Sequence, residues 1–270
     1  LQLQSIADIA RKHRHIFLSP HFDDVVFSCG GTIALQASCG LHPLVITVFA
    51  GLPPANQPLS ALATAVHQSM GFGHDAREAV ETRRREDARA LDYLGADYLW
   101  LDYPDAIYRG NPPHYTREEE LFSSIHPADL SIDQQLGQLL VSLSEQLPDT
   151  VWYAPLGVGH HVDHQLVCSA ADRLVQRHAN VKFYEDFPYV TRLGELERRL
   201  HEFGDTLEPA YVEMSELLPL RQEASQMYAS QIAAIFGDKE SMYKLMDEYT
   251  HNIRPVETVH LERYWTPRYR

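Results

Sequence analysis

Cysteine is scarce in this sequence. There are three in 270 residues, Cys29, Cys39 and Cys168, odd in number and without CxxC spacing. That excludes a disulfide framework and a cysteine-built zinc module, and it points to a reducing, cytoplasmic setting. Basic charge is also short. Lys and Arg number 23 against 37 Asp and Glu, for a formal charge of −14, which argues against a nucleic-acid backbone or an anionic membrane surface as partner. No run approaches the ~18 apolar residues of a membrane span. The longest candidate, 28–44, is broken by glycines, polar residues and His42. Residues 1–15 lack a signal peptide's order of charge followed by an apolar run, since Arg11, Lys12 and Arg14 come late. The chain opens on Leu1 rather than Met, which leaves open a leader removed before it. There is no internal repeat and no low-complexity tract.

What is present is an ordinary globular composition, 44% apolar and 10% aromatic, with length enough for a large core. The 270 residues read as a single domain. Short apolar runs at 15–19, 44–50, 97–101, 151–155 and 181–184 resemble strands buried on both faces. Helical stretches at 25–38, 75–94, 133–147 and 162–178 alternate with them. A further helix is expected at 220–236, and 256–270 looks irregular or edge-strand-like. This order predicts an α/β fold: a Rossmann-like, doubly wound, mostly parallel sheet with helices on both faces. Two proline-rich segments, 51–73 and 103–129, read as long loops. Both leave the carboxyl ends of strands, where open α/β sheets bind ligands, and they are expected to shape specificity.

Fifteen histidines are many for this length, and their spacing carries the argument. After the first strand comes Ser19-Pro20-His21-Phe22-Asp23-Asp24. After the fourth comes Gly159-His160-His161-Val162-Asp163-His164. Alone, each has an ordinary explanation: an acid pair caps a helix, and a polar turn tolerates histidines. Together, at two strand ends on one edge of a sheet, they form a single acid–imidazole cluster. His21 and Asp24 can face one point, and His161 and His164 share a face of a first helical turn. Mixed histidine and carboxylate donors suit zinc. A catalytic zinc uses three of them and keeps a position for water; the remaining groups are then free for proton transfer. The same ligand types also allow Fe(II), Co(II) or Mn(II).

These two motifs resemble those of the LmbE/PIG-L family of zinc-dependent N-deacetylases. So do Cys29-Gly30-Gly31-Thr32, Thr47-Val48-Phe49-Ala50-Gly51, Thr82-Arg83-Arg84-Arg85-Glu86 and Tyr228-Ala229-Ser230-Gln231-Ile232. The resemblance covers about residues 15–235. It implies His21, Asp24 and His164 as zinc ligands, Asp23 as general base, a protonated His161 over the tetrahedral oxyanion, and Asp163 orienting His161. It further implies sugar contacts from Arg83 and Asp105. The substrate so implied is a small N-acetylglucosamine-type amino sugar conjugate, deacetylated by metal-activated water. Phe22 stands where many members have proline, and Val25 where many have glutamate; neither is a ligand position, and Phe22 bears on the pocket floor.

Two rival readings remain: an amidase for another amide, such as a thiol conjugate, and a non-catalytic Rossmann-like sugar- or nucleotide-binding protein. Gly30-Gly31 lacks the G-x-G-x-x-G pattern and reads better as close helix packing. Cys29 and Cys168 read as small buried residues. His160 is expected to point away from His161, and two of the three arginines 83–85 to face solvent. Trp100, Tyr103, Tyr108 and Tyr115 serve either a sugar face or the core. A homo-oligomer is left open.

Overall fold

The fold is described from a computed structural model, over residues 1–54, 57–204 and 206–268. Residues 55 and 56 of the expected 51–73 loop, and 269 and 270 of the C-terminal segment, lie outside the described residues. In chain order the elements are β1 His15–Ser19, α1 Asp24–Ser38, β2 Pro43–Thr47, α2 Ala61–Ser69, α3 Ala76–Leu94, β3 Asp97–Trp100, α4 Glu118–Leu121 and α5 Leu130–Gln146. They continue with β4 Val151–Pro155, α6 Val162–Val175, β5 Asn180–Tyr184, α7 Glu195–Glu202, β6 Leu207–Glu213, α8 Leu218–Ser225, α9 Ala229–Phe236, α10 Lys239–Asn252 and β7 Leu261–Pro267.

The strands form one sheet in the order β3-β2-β1-β4-β5-β7-β6. β1 to β5 are parallel, and β7 runs antiparallel to both neighbours. β1 and β2 are almost wholly buried, which is why they read as unbroken apolar runs rather than alternating ones. α1 packs with α3 and α8, and α5 with α6; right-handed crossovers put these groups on opposite faces. Chain direction across the sheet reverses between β1 and β4. The loops leaving their carboxyl ends open a crevice at that switch point.

Four expectations are corrected. The 51–73 segment holds a helix, α2, capped by Ser60 accepting from the Ala63 N–H at 3.0 Å. Its flanking prolines and glycines mask it in sequence. The single helix expected at 220–236 breaks into α8 and α9 at Tyr228, whose ring is buried and whose hydroxyl donates to Asp87 at 2.8 Å. The C-terminal segment is β7, interior between β5 and β6 rather than an edge, and β6 itself was not expected. Only Arg85 of the arginine triplet is solvent-exposed; Arg84 donates to the Ala50 carbonyl at 2.7 Å and lies over Trp100.

Gly30 and Gly31 permit close packing, as read. A Cβ on Gly30 would stand 2.9 Å from Arg221 Cγ, and one on Gly31 2.8 Å from Glu262 Oε1. Glu262, on β7, accepts from the N–H groups of Gly31 and Thr32, each at 2.8 Å, and pairs with Arg221 at 3.1 Å. Cys29 and Cys168 are buried. No helix among the described residues is long and apolar enough to cross a membrane.

Asp87 on α3 is fully buried and accepts from Trp100 Nε1 at 2.6 Å as well as from Tyr228. Burial pushes its carboxyl up from 3.8 to about 7. The folded state thus keeps a proton that the unfolded chain releases, and this group's contribution to stability falls as pH rises from about 4 through about 7. Asp87→Asn fixes the protonated shape. Relative to the native protein, it should gain up to ~3 kcal/mol between pH 5 and 8 in urea unfolding. An equal stability difference at both pH values would remove the claim.

Candidate active site

The turn after β1 places three side chains at the crevice. Asp23 is the N-cap residue of α1, yet its side chain makes no capping bond. Its carboxylate instead faces Arg83 Nη2 at 3.3 Å. Asp24 Oδ2 takes the His21 backbone N–H at 2.7 Å. That same oxygen lies 3.2 Å from His21 Nδ1 and 3.3 Å from His164 Nε2. The turn after β4 is tight. Gly159 (φ 87°) and His160 (φ 63°) are consecutive left-handed residues, a conformation costly for a non-glycine residue. It delivers His161 as the N-cap of α6. His160 points elsewhere and pairs with Glu202 at 2.9 Å.

Donor atoms of His21, His161 and His164 all lie within 4.8 Å of one another, and all three residues are buried. This is a candidate metal centre. His164 Nδ1 bonds Asp186 Oδ1 at 2.7 Å, which fixes the ring and turns Nε2 toward Asp24. His164 Nε2 is buried and lacks a hydrogen-bond partner, as a metal-directed lone pair would be. Two ligands at zinc's bond lengths of about 2.0–2.1 Å in a tetrahedron stand ~3.3 Å apart, and Asp24 holds that spacing to both His21 and His164. The residues fit a divalent cation.

Asp163 does not act as expected on His161. Its carboxylate takes His21 Nε2 at 3.0 Å, Ala106 N–H at 3.1 Å and Arg109 Nη1 at 2.5 Å. Asp163 reaches His161 through its backbone, whose N–H donates to Nδ1 at 3.2 Å. Burial, then the neighbouring His21 charge, push the His161 imidazole below its ordinary value in the metal-free site. For Asp23, burial raises the carboxyl and Asp24 adds to this, against the pull of Arg83. Arg83 Nη1 lies 3.6 Å from Asp105 Oδ2, and its guanidinium stands over Phe22.

Two residues escaped the sequence reading. Asp186 follows β5 at the same sheet edge, and besides His164 it takes the N–H groups of Gly157 and Val158, each at 2.8 Å. Arg109 bridges Asp163 to Asp129 Oδ2 at 2.9 Å, between the rings of Phe49 and Tyr115. The position of Asp186 just past a strand was a usable signal; Arg109, alone within a long loop, gave none.

His21, Asp23, Asp24, Arg83, Asp105 and His161 line a cavity of about 590 Å³. Its walls include Phe122 and Tyr189, whereas Trp100, Tyr103, Tyr108 and Tyr115 do not line it.

The family profile described as "PIG-L: GlcNAc-PI de-N-acetylase" matches residues 16–175. A 2'-N-acetylparomamine deacetylase of Niallia circulans is 31% identical over 238 residues, 84% of either chain. Another, of Streptomyces fradiae, is 32% identical over 236 residues, 84% of this chain and 77% of that one. A crystal structure of a deacetylase–bog complex in the biosynthesis pathway of teicoplanin shares the fold with a TM-score of 0.77 at 25% identity, over 94% of this chain and 97% of that one. With that profile match and relatives above 30% identity over most of both chains, this chain belongs to the PIG-L/LmbE family and is a metal-dependent N-deacetylase.

Proposed function

We propose that the protein removes the acetyl group from the nitrogen of an N-acetylglucosamine-type amino sugar conjugate, with residues 1–270 acting as one catalytic unit. The observation that carries this reading is Asp24 at tetrahedral spacing from both His21 Nδ1 and His164 Nε2. His21, Asp24 and His164 would hold the ion, zinc by its donor set, with Fe(II), Co(II) and Mn(II) as chemically allowed alternatives. Such an ion supplies Lewis acidity and a water of lowered pKa.

The chain's own groups do the rest. Asp23, not a ligand, receives the proton of the attacking water and can return it to the leaving amine. His161 stabilises the developing oxyanion. Asp163 holds His21 in the rotamer and tautomer a ligand needs, as Asp186 does for His164. Arg83 and Asp105 orient the sugar. The relatives act on an amino sugar of an aminoglycoside, and the shared motifs support carrying the amino sugar, not the rest of the molecule, to this chain.

Acetate release from N-acetylglucosamine conjugates tests the reading. Release abolished by a chelator and restored by metal is expected, and release indifferent to chelation would overturn it. His164→Ala should bind metal at well under one equivalent. Equimolar metal in that variant would show that another group is the ligand.

A further inference from the structure

The cavity is larger than its reaction centre, and its lining falls into two groups that differ in chemistry. One group is polar: His21, Asp23, Asp24, Arg83, Asp105 and His161. The other walls come mostly from α2, the segment around α4, the turn after β5, and α9. There Leu62, Val66, Met70, Phe187 and Ile235 supply carbon surface. Ile235 is 40% exposed, and Val66 and Met70 are half-buried. Such side chains open to solvent mark a ligand surface rather than a core. Charge on these walls is limited to Arg117 and Glu118, of opposite sign, and Arg117 is already paired with Glu120 at 2.9 Å.

The volume falls within the ~300–1,000 Å³ typical of sites for drug-sized ligands. An acetyl group needs space for one methyl, so the remaining room serves the other side of the amide. A polycationic aglycone would require several carboxylates along that room, each able to pair with an ammonium group. The walls do not provide them.

We propose that the substrate's aglycone is apolar, and that α2, α4 and α9 form its subsite. This rests on the amino-sugar reading above. The subsite is continuous with the reaction centre in one cavity, so a single glycoside spans both. Its apolar part leaves water as the sugar is seated.

The test uses the metal-loaded protein and three substrates: methyl and octyl 2-acetamido-2-deoxy-β-glucosides, the latter below its critical micelle concentration, and 2'-N-acetylparomamine. The octyl glycoside should exceed the methyl one by at least ~10-fold in kcat/KM, mainly through KM. Val66→Asp and Ile235→Asp, both on partly exposed helix faces, should bring that ratio toward one. Calorimetric binding of the two deacetylated glycosides should show the same preference without turnover. Equal binding and equal kcat/KM for octyl and methyl would overturn the inference and leave the amino-sugar reading intact. So would a ~10-fold preference for the paromamine conjugate. Faster hydrolysis of an N-octanoyl than an N-acetyl glucosaminide would put the apolar wall on the acyl side and overturn it too. Tighter octyl binding with no hydrolysis of any glycoside would uphold the apolar subsite and overturn the deacetylation of such sugars.

Discussion

Alanine in place of Asp23 lowers kcat by at least ~100-fold and leaves the metal content of the protein unchanged. The two effects separate because neighbouring carboxylates have different tasks. Asp24 spends one oxygen on His21 and His164, whereas Asp23 turns toward Arg83 and the cavity. Although Asp23 is the N-cap residue of α1, its side chain accepts no backbone N–H there. Alanine therefore removes no helix cap, and the fold is expected to survive. Acetate release at saturating substrate, with metal determined on the same preparation, makes the measurement. Turnover within ~10-fold of native would assign the base elsewhere, and metal loss would place Asp23 among the ligands.

Replacing Arg109 with methionine costs ~3–5 kcal/mol of stability. Two carboxylates, Asp129 and Asp163, are each at most 1% exposed and share this one guanidinium. Burial by itself would raise the Asp163 carboxyl, but Arg109 first, and His21 after it, more than reverse this. Without the guanidinium, both acids are left charged in a dry setting or must take up protons. A protonated Asp163 no longer orients His21, so metal affinity should also drop by ~10–100-fold. Urea unfolding and a metal titration read the two effects. Arg109→Lys should recover only part, because an ammonium lacks the fork that spans both acids. Stability within ~1 kcal/mol of native would show that the acids are neutralised in some other way.

The parallel part of the sheet was legible because β1 and β2 are covered on both faces and leave unbroken apolar runs. The acid–histidine cluster was legible for a related reason: each motif directly follows a strand, so topology alone brings the two together. The antiparallel part was not legible. β6 alternates between sheltered and exposed positions, and such half-polar strands resemble loops when read singly. The break at Tyr228 depends on Asp87, 141 positions away in the chain, and no local pattern reports a partner that distant. Asp163 was found but matched to the wrong imidazole. Its carboxylate crosses to the other motif, to His21, whereas the family resemblance implied His161.

Order of synthesis gives the place of β7 a further meaning. β6 pairs only with β7 in the sheet, and β7 occupies residues 261–267. As the chain leaves the ribosome, β6 must wait through α8, α9 and α10 with both edges unpaired. The parallel strands β1 to β5 have by then all emerged and can assemble. During that interval β5 also presents a bare edge, a recognised template for wrong pairing. Glu262 arrives with β7, so Arg221 and the α1 amides gain their counter-charge only when this late strand docks. The helix that begins at Asp24, among the first segments made, thus takes one of its anchors from one of the last.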